Sequence, residues 1–248
     1  MYLLNWKYMK KILILSVVSL VVLSSCWNVF GKRIRGNGAI IAQTRDITGY
    51  NSIDVSGDFD VYVKQDSVSS VKVETDENLM GYIIVRTEGN TLKIYPRDNY
   101  NLRPTGTIKV YVAAPAFRSF EASGACDYYT ENKITSADDI SIDLSGSCDA
   151  KMELSAPKIS AGISGSGSVT LKGETKELKV DGSGSSDFKC FDMMAENVSV
   201  DITGSGDADV FASVKLNVDV SGSGTVRYKG NATVNQKVSG SGSVSKVQ

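Results

Sequence analysis

The chain has 248 residues, and its 27 lysines and arginines nearly balance 28 aspartates and glutamates, leaving a formal charge of −1. This balance gives no electrostatic basis for binding nucleic acid or an anionic surface. The sequence contains no histidine, which excludes Ser/His and Cys/His nucleophile pairs and removes the commonest metal ligand. With 42% apolar residues and 23 glycines, the composition indicates a core interrupted by many turns.

Residues 1–26 have the pattern of a bacterial lipoprotein signal peptide. Residues 9–26 read MKKILILSVVSLVVLSSC, in which two lysines precede a short apolar run. A membrane-spanning helix needs roughly 20 apolar residues, whereas a shorter run is typical of a signal-peptide core. The final LSSC resembles a lipobox and predicts lipid attachment at Cys26. A buried N-terminal helix is the alternative, but the residues that follow offer it no helical partner.

The residue after the predicted lipidated cysteine is Trp27. An aspartate there would signal inner-membrane retention, so we expect an outer-membrane lipoprotein of the cell envelope, on the periplasmic or the surface face. Residues 27–46 are polar and contain several glycines, and we expect a short tether. We interpret residues 47–248 as one β-rich domain, with an irregular part at 47–116 and a regular part at 117–248.

The irregular part contains clear strand patterns at residues 71–74, 82–86, 91–95 and 107–112. The residues EGN between two of these segments predict a hairpin turn. An earlier segment, IDVSGDFDV, contains Ser56 and Gly57 in the arrangement that recurs later in the chain. We expect this longer, less regular part to cap one end of the domain, since open strand edges recruit other chains.

A serine-glycine motif recurs through the regular part at a nearly fixed spacing of 18 to 22 residues. It appears as SGACD, SGSCD, SGSGS, SGSSD, TGSGD and SGSGT. Its glycines are Gly124, Gly146, Gly165, Gly184, Gly204, Gly222 and Gly240. Repetition at such a period indicates stacked structural units.

Apolar residues alternate with polar ones on both sides of each glycine. Before Gly204 stand Val200 and Ile202, and after it stand Ala208 and Val210. This period of two predicts two short strands joined by a glycine corner, with no helical pattern in this half. We interpret the fold as an all-β, single-stranded β-helix or solenoid, and we favour right-handed winding. A hairpin meander would not repeat one residue type at every second strand, and a flattened two-sheet roll is an alternative.

Acidic residues recur around the predicted corners, and two interpretations stand side by side. One set precedes each corner and a second set follows it: Glu121, Asp143, Asp181, Asp201 and Asp219, then Asp127, Asp149, Asp187 and Asp207. A bound cation would relieve repulsion between stacked carboxylates. However, the nonapeptide motif of calcium-binding rolls is missing, and Gly162 and Lys237 interrupt the first set. We favour solvated aspartates, and predict no metal site and no cofactor.

Cys126 and Cys148 occupy the same position in neighbouring units. Stacked Cα atoms about 4.8 Å apart fall within the disulfide range, but parallel side chains make the geometry poor. Whether they are bridged stays open at this point. Cys190 has an inward position, and we interpret it as a small core residue.

We interpret four tyrosines as exposed: Tyr95, Tyr100, Tyr128 and Tyr129. Exposed aromatic rings can form a surface on which sugars stack. Scattered core or surface tyrosines are the alternative, which we favour.

Three segments together resemble a known bacterial family. They are SIDVSGDFDVYV, DENLMGYIIVRTEGNTLKI and APAFRSFEASGA, followed by the SGSG motifs. This ordered combination, over residues 47–246, is similar to the putative auto-transporter adhesin, head GIN domain family of Bacteroidetes. The resemblance implies a β-helical, exported or surface-associated protein, and it assigns no residue a function. Cys126, Cys148 and Ser186 replace glycines of the motif, which makes the corners that contain them less certain.

We therefore expect a lipid-anchored β-solenoid with a non-catalytic role in adhesion, envelope organisation or polymer binding. Its partners would be the membrane, through the lipid anchor, and an envelope or extracellular polysaccharide or protein, with no nucleic acid. The sequence does not indicate an oligomeric state. The alternative is a polysaccharide lyase or hydrolase, since β-helices host enzymes that use carboxylates rather than histidine. We assign no catalytic residue, because the outward positions are mostly small and plain polar residues.

Overall fold

A computed structural model describes residues 31–248, and its regular structure there is extended except for one 3-10 turn at Met80–Tyr82. The strands are β1 Lys32–Arg35, β2 Ile40–Arg45, β3 Ser52–Gln65, β4 Ser70–Asp76, β5 Ile83–Glu88, β6 Thr91–Pro96, β7 Tyr100–Arg103, β8 Lys109–Ala114, β9 Ser119–Thr130, β10 Ile134–Thr135, β11 Ile140–Gly146, β12 Asp149–Gly204, β13 Asp207–Gly222, β14 Thr225–Lys229, β15 Thr233–Gly240 and β16 Ser243–Lys246. The all-β prediction is confirmed. The predicted signal peptide and Cys26 lie outside the described residues.

Successive segments of the regular part pair in parallel, and the register offset equals the repeat length. Ile140 pairs with Ile159, and Asp207 pairs with Thr225. The longest strand, β12, runs for 56 residues and would reach about 185 Å if straight, at roughly 3.3 Å per residue. It bends where Gly165, Gly173 and Gly184 adopt positive φ, so one continuous strand supplies several neighbouring segments of the sheet.

The corner glycines form a single column. Its members are Gly57, Gly124, Gly146, Gly165, Gly184, Gly204, Gly222 and Gly240, and φ lies between 99° and 133° at all of them. From Gly124 onward, a Cβ atom on each glycine would stand only 2.2–2.6 Å from the carbonyl oxygen of the preceding glycine in the column. No other residue fits both this conformation and this close approach. The predicted column of glycines is confirmed.

The alternating apolar residues point into one continuous core. Val200, Ile202, Ala208 and Val210 are all buried, as is Tyr128. The hydroxyl of Tyr128 donates a hydrogen bond to the carbonyl oxygen of Glu121 at 2.8 Å. Burying a Val, Ile or Leu side chain stabilises a fold by about 1.5–3 kcal/mol, so this repeated inward set supplies the main stabilisation of the domain.

The irregular part covers one side of the first parallel segment. Strand β3 pairs in parallel with β9 on one edge and with β6 and β8 on the other. Beyond them the direction reverses, since β5 is antiparallel to β6, β4 is antiparallel to β8, and β2 is antiparallel to β4. These reversed strands occupy the edge of the parallel stack, where unpaired backbone groups would otherwise be available to another chain.

Two strands lie within the segment predicted as a tether, residues 27–46. Strand β1 pairs in parallel with β7, and β2 pairs with β4. Each obtains its backbone partners from a distant part of the chain. Within residues 31–248, no helix is long and apolar enough to cross a membrane.

Asp76 joins several parts of this end of the domain. Its carboxylate accepts hydrogen bonds from the backbone N–H of Gly38 at 2.7 Å and of Thr105 at 2.9 Å, and from the Thr105 hydroxyl at 2.9 Å. Burial alone would raise the pKa of Asp76, but these hydrogen bonds outweigh it and hold the pKa below its usual value. The charged carboxylate therefore ties β2 and the loop before β8 to the end of β4.

Candidate binding surfaces

The first candidate surface is a row of acidic side chains from residues that come shortly before each column glycine along the strands. We call it the carboxylate column: Asp54, Glu121, Asp143, Asp181, Asp201 and Asp219, with Gly162 in the middle and Lys93 and Lys237 at the two ends. The acidic set predicted before the corners is therefore a true ladder, extended by Asp54. The ammonium of Lys93 lies 2.9 Å from Asp54, and that of Lys237 lies 3.1 Å from Asp219.

Hydroxyl groups run beside the carboxylate column. The Ser123 and Ser56 hydroxyls are 2.8 Å apart, and those of Ser141 and Ser119 are 3.0 Å apart. Each pair joins neighbouring strands at equivalent positions. The outward face is therefore polar, regular and made of short side chains, as expected where every segment stands directly beside the next.

A shallow groove of about 510 Å³ lies in this face where Gly162 interrupts the acidic row. Asp143 and Asp181 stand on either side of it, and Lys179 is beside them, with its ammonium 3.4 Å from Asp181. The pKa of Asp143 is raised, chiefly by partial burial and to a lesser extent by the negative charge of Asp181. The missing side chain at Gly162 thus creates a small depression between two carboxylates.

The acidic set predicted after the corners has a structural role that the sequence did not reveal. Asp127 accepts a hydrogen bond from the backbone N–H of Asp149 at 3.2 Å, and Asp149 accepts one from that of Ser168 at 2.9 Å. Asp207 does the same for Thr225 at 2.9 Å. These side chains satisfy backbone groups of the next segment where the corner interrupts regular pairing. Among residues 31–248, no three metal-ligating side chains gather closely enough to hold an ion.

The second candidate surface is formed by residues that come after the column glycines along the strands. Tyr111, Tyr62 and Tyr129 stand at paired positions of β8, β3 and β9, and we call them the tyrosine ladder. The ring centroid of Tyr62 lies 5.1 Å from that of Tyr111 and 5.3 Å from that of Tyr129, with interplanar angles of 19° and 23°. The ammonium of Lys72 lies 4.1 Å from the Tyr111 centroid, and that of Lys151 lies 5.8 Å from the Tyr129 centroid.

The four tyrosines singled out from the sequence do not form one patch. Tyr128 is fully buried in the core. Tyr95 lies beneath the guanidinium of Arg86, and Tyr100 packs against Tyr82. Tyr129 alone belongs to the tyrosine ladder. Its ladder partners Tyr62 and Tyr111 were missed, although their alternation with buried valines marks both as outward residues.

The three cysteines of the described chain are free thiols: Cys126, Cys148 and Cys190 are all buried. The backbone N–H of Cys126 donates a hydrogen bond to the Cys148 sulfur at 3.3 Å, so the two side chains are stacked neighbours, unbridged in this structure. Contact with the Cys148 thiol and burial raise the pKa of Cys126. Burial raises the pKa of Cys190 to about 12, in keeping with its predicted place in the core.

Solved structures of similar shape include proteins from Bacteroides and Parabacteroides species. A putative adhesin from Bacteroides fragilis is 22% identical and aligns over 86% of this chain and 100% of its own, with a TM-score of 0.82. This likeness concerns the fold. A putative lipid binding protein from Parabacteroides distasonis is 26% identical over 88% of this chain and 100% of its own, with a TM-score of 0.68. A putative adhesin from the same species is 26% identical over 87% and 100%, with a TM-score of 0.69.

No curated protein matches the chain. The sequence profile of one family does match, over residues 49–232, which is well over half of the chain and agrees with the resemblance of the motifs. This protein therefore belongs to the family described as putative auto-transporter adhesin, head GIN domain.

Proposed function

We propose that this protein is a lipid-anchored β-solenoid of the cell envelope with a non-catalytic role in adhesion. The parallel register, the repeat of 18 to 22 residues and the glycine column support a solenoid. Each corner glycine lies against the one before it, as expected when each turn of the chain rests on its predecessor. Right-handed winding is the proposed hand, because parallel crossovers in proteins are overwhelmingly right-handed.

The proposed anchor is the acylated Cys26, at the outer membrane. The lipobox sequence LSSC supports it, and more than one acyl chain gives stable membrane attachment. The test is metabolic labelling with a radioactive fatty acid in cells expressing the full chain. Label on the wild type and none on the Cys26→Ala variant is the expected result. Equal labelling of both would place any acyl group elsewhere.

The observation that carries the adhesive role is the length and regularity of the outward rows. The carboxylate column runs from Lys93 to Lys237, across the whole stack of segments. Extended, repeated surfaces of this kind suit the binding of long partners, as in other repeat proteins. The proposed partner is a polysaccharide or protein of the envelope or of the extracellular surroundings. The description of the family as adhesins supports the same role.

The test uses residues 27–248, which contain every described strand. The purified protein is incubated with a panel of polysaccharides and envelope preparations, and both binding and product formation are measured. Saturable binding without product is the expected result. Failure to bind any of them would contradict the adhesive role.

A second candidate function, polysaccharide cleavage, rests on the groove at Gly162. Asp143 and Asp181 are two strand spacings apart, about 10 Å between their strands, just above the roughly 6.5–9.5 Å between the carboxyl groups of inverting glycosidases. The raised pKa of Asp143 is a property of a general acid. Product formation that disappears in both Asp143→Asn and Asp181→Asn would favour this function over adhesion.

A further inference from the structure

We propose that the tyrosine ladder and the acidic side chains beside it form a binding platform for an uncharged, extended polysaccharide. This inference rests on the proposed adhesive function and names the class of ligand that the protein would hold. The platform consists of Tyr111, Tyr62 and Tyr129, which stack in a straight row on three paired strands.

The three rings stack in one row, and the ammonium groups of Lys72 and Lys151 lie near the two end rings. Carbon atoms in contact lie about 3.5–4.0 Å apart, whereas the ring centroids are 5.1 and 5.3 Å apart. Centroid distances of this size, with interplanar angles of 19° and 23°, fall within the range of interacting aromatic pairs. The row is therefore a continuous strip of aromatic side chains across three strands.

These rings point away from the core. Tyr62 lies between the fully buried Val61 and Val63, and Tyr111 lies between Val110 and Val112, which are also buried. Because side chains alternate along a strand, the tyrosines are on the outer face, where all three are half-buried. The hydroxyls of Tyr62 and Tyr111 form no hydrogen bond with any other described residue, so they are available to a ligand.

A row of carboxylates runs alongside the rings. Asp60 and Asp127 are paired across β3 and β9, and Asp149 follows on the next segment. The Tyr129 hydroxyl donates a hydrogen bond to Asp127 at 3.1 Å. Sugar rings combine an apolar C–H face with a rim of hydroxyls. The exposed parts of the tyrosine rings match the former, while the carboxylates and phenolic oxygens can accept hydrogen bonds from the latter.

The charges favour an uncharged glycan over other long ligands. Nucleic acids and acidic polysaccharides would bring their negative groups against Asp60, Asp127 and Asp149, which outnumber the two cations beside the ladder, Lys72 and Lys151. A protein hot spot would need a well-packed apolar pocket, whereas this row is flat and mixes rings with charges. Each segment of the platform repeats about every 4.8 Å, so a linear polymer lying along the row would meet similar groups at every step.

The experiment measures binding of residues 27–248 to uncharged plant and bacterial polysaccharides, by calorimetry or affinity electrophoresis. We expect Tyr62→Ala, which removes the central ring, to weaken binding at least 10-fold. Tyr62→Phe keeps the ring and removes only a hydroxyl, so it should stay within about threefold of the wild type. Tyr95→Ala is the matched control, because Tyr95 is also half-buried with a cation over its ring but lies outside the ladder. Thermal unfolding verifies that each variant is folded.

Unchanged polysaccharide binding by a folded Tyr62→Ala protein would overturn the platform and leave the adhesive function standing. Equal losses in Tyr62→Ala and Tyr95→Ala would also overturn it. Binding only to a protein or to charged polymers would reject the ligand class, whereas no binding to any polymer or envelope preparation would reject the proposed function itself.

Discussion

The carbonyl oxygen of Gly184 lies 2.5 Å from the position that a Cβ atom on Gly204 would occupy. Gly204 also has a φ of 122°, which L-residues with a side chain rarely adopt. We expect Gly204→Ala to lower the free energy of unfolding by about 2–4 kcal/mol, because backbone strain and overpacking add together. Chemical denaturation followed by circular dichroism measures the change.

Two other glycines separate these contributions. Gly38 has a φ of 82° but open space around it, and Gly106 has open space without a positive φ. Gly38→Ala should show the strain alone, about 1–2 kcal/mol, and Gly106→Ala should change stability by less than about 0.5 kcal/mol. If Gly204→Ala is no worse than Gly38→Ala, close stacking is not what requires glycine at the corners.

Asp76 should make stability depend on pH at the low end of the range. Its pKa is lower in the folded protein than in the unfolded chain because Thr105 and Gly38 donate hydrogen bonds to the carboxylate. Its stabilisation is therefore complete above the unfolded-state pKa, about 3.9, and is lost as the pH falls through the folded-state value. We expect Asp76→Asn to lose about 2–4 kcal/mol at pH 7.

The measurement for Asp76 is a series of urea unfolding curves between pH 7 and pH 2. The difference between the wild type and Asp76→Asn should shrink steadily toward the acid end. A difference that stays constant over this range would mean that the charge of Asp76 does not contribute.

Asp143 should have the opposite dependence. Its pKa is raised by partial burial and by the charge of Asp181, so its charged form is less favourable in the folded protein. Asp143→Asn should therefore stabilise the protein at pH 7, and this gain should vanish as the pH falls below the unfolded-state pKa, about 3.9. Thermal unfolding at several pH values measures it. A less stable variant at pH 7 would show that Asp143 accepts a stabilising contact instead.

The thiols of Cys126, Cys148 and Cys190 should be unreactive in the folded protein, because all three are buried. A reagent that reports free thiols, applied to residues 27–248, should label none of them under native conditions. It should label all three after denaturation without reductant. Fewer than three labelled thiols in the denatured chain would reveal a disulfide between Cys126 and Cys148, the pairing that the sequence left open.

Much of the regular part could be predicted from the sequence because its signals are local. Alternation around Gly204 specifies which residues are buried, and the spacing from Gly146 to Gly165 already equals the register offset between their strands. The carboxylate column followed from the same period, since residues at equal positions of a repeat share one environment. By the same logic, the inward place of Cys190 was predicted correctly.

The tyrosine ladder could not be found in this way. Tyr62, Tyr111 and Tyr129 come from segments separated by irregular loops, and no period in the sequence relates them. The same reason hid the roles of β1 and β2, which become strands because β7 and β4 offer them backbone partners. Asp76 likewise gained its partners through pairings between distant segments.

The sequence by itself determined the all-β character, the buried rows and the glycine corners, since alternation, repeat length and the steric needs of a tight bend are properties of neighbouring residues. The tertiary structure alone decided how the irregular part pairs with β3 and therefore which side chains meet on the outer faces. Those pairings depend on chain reversals between residues far apart in sequence, where hydrogen-bond partners are chosen by the whole fold and not by local pattern.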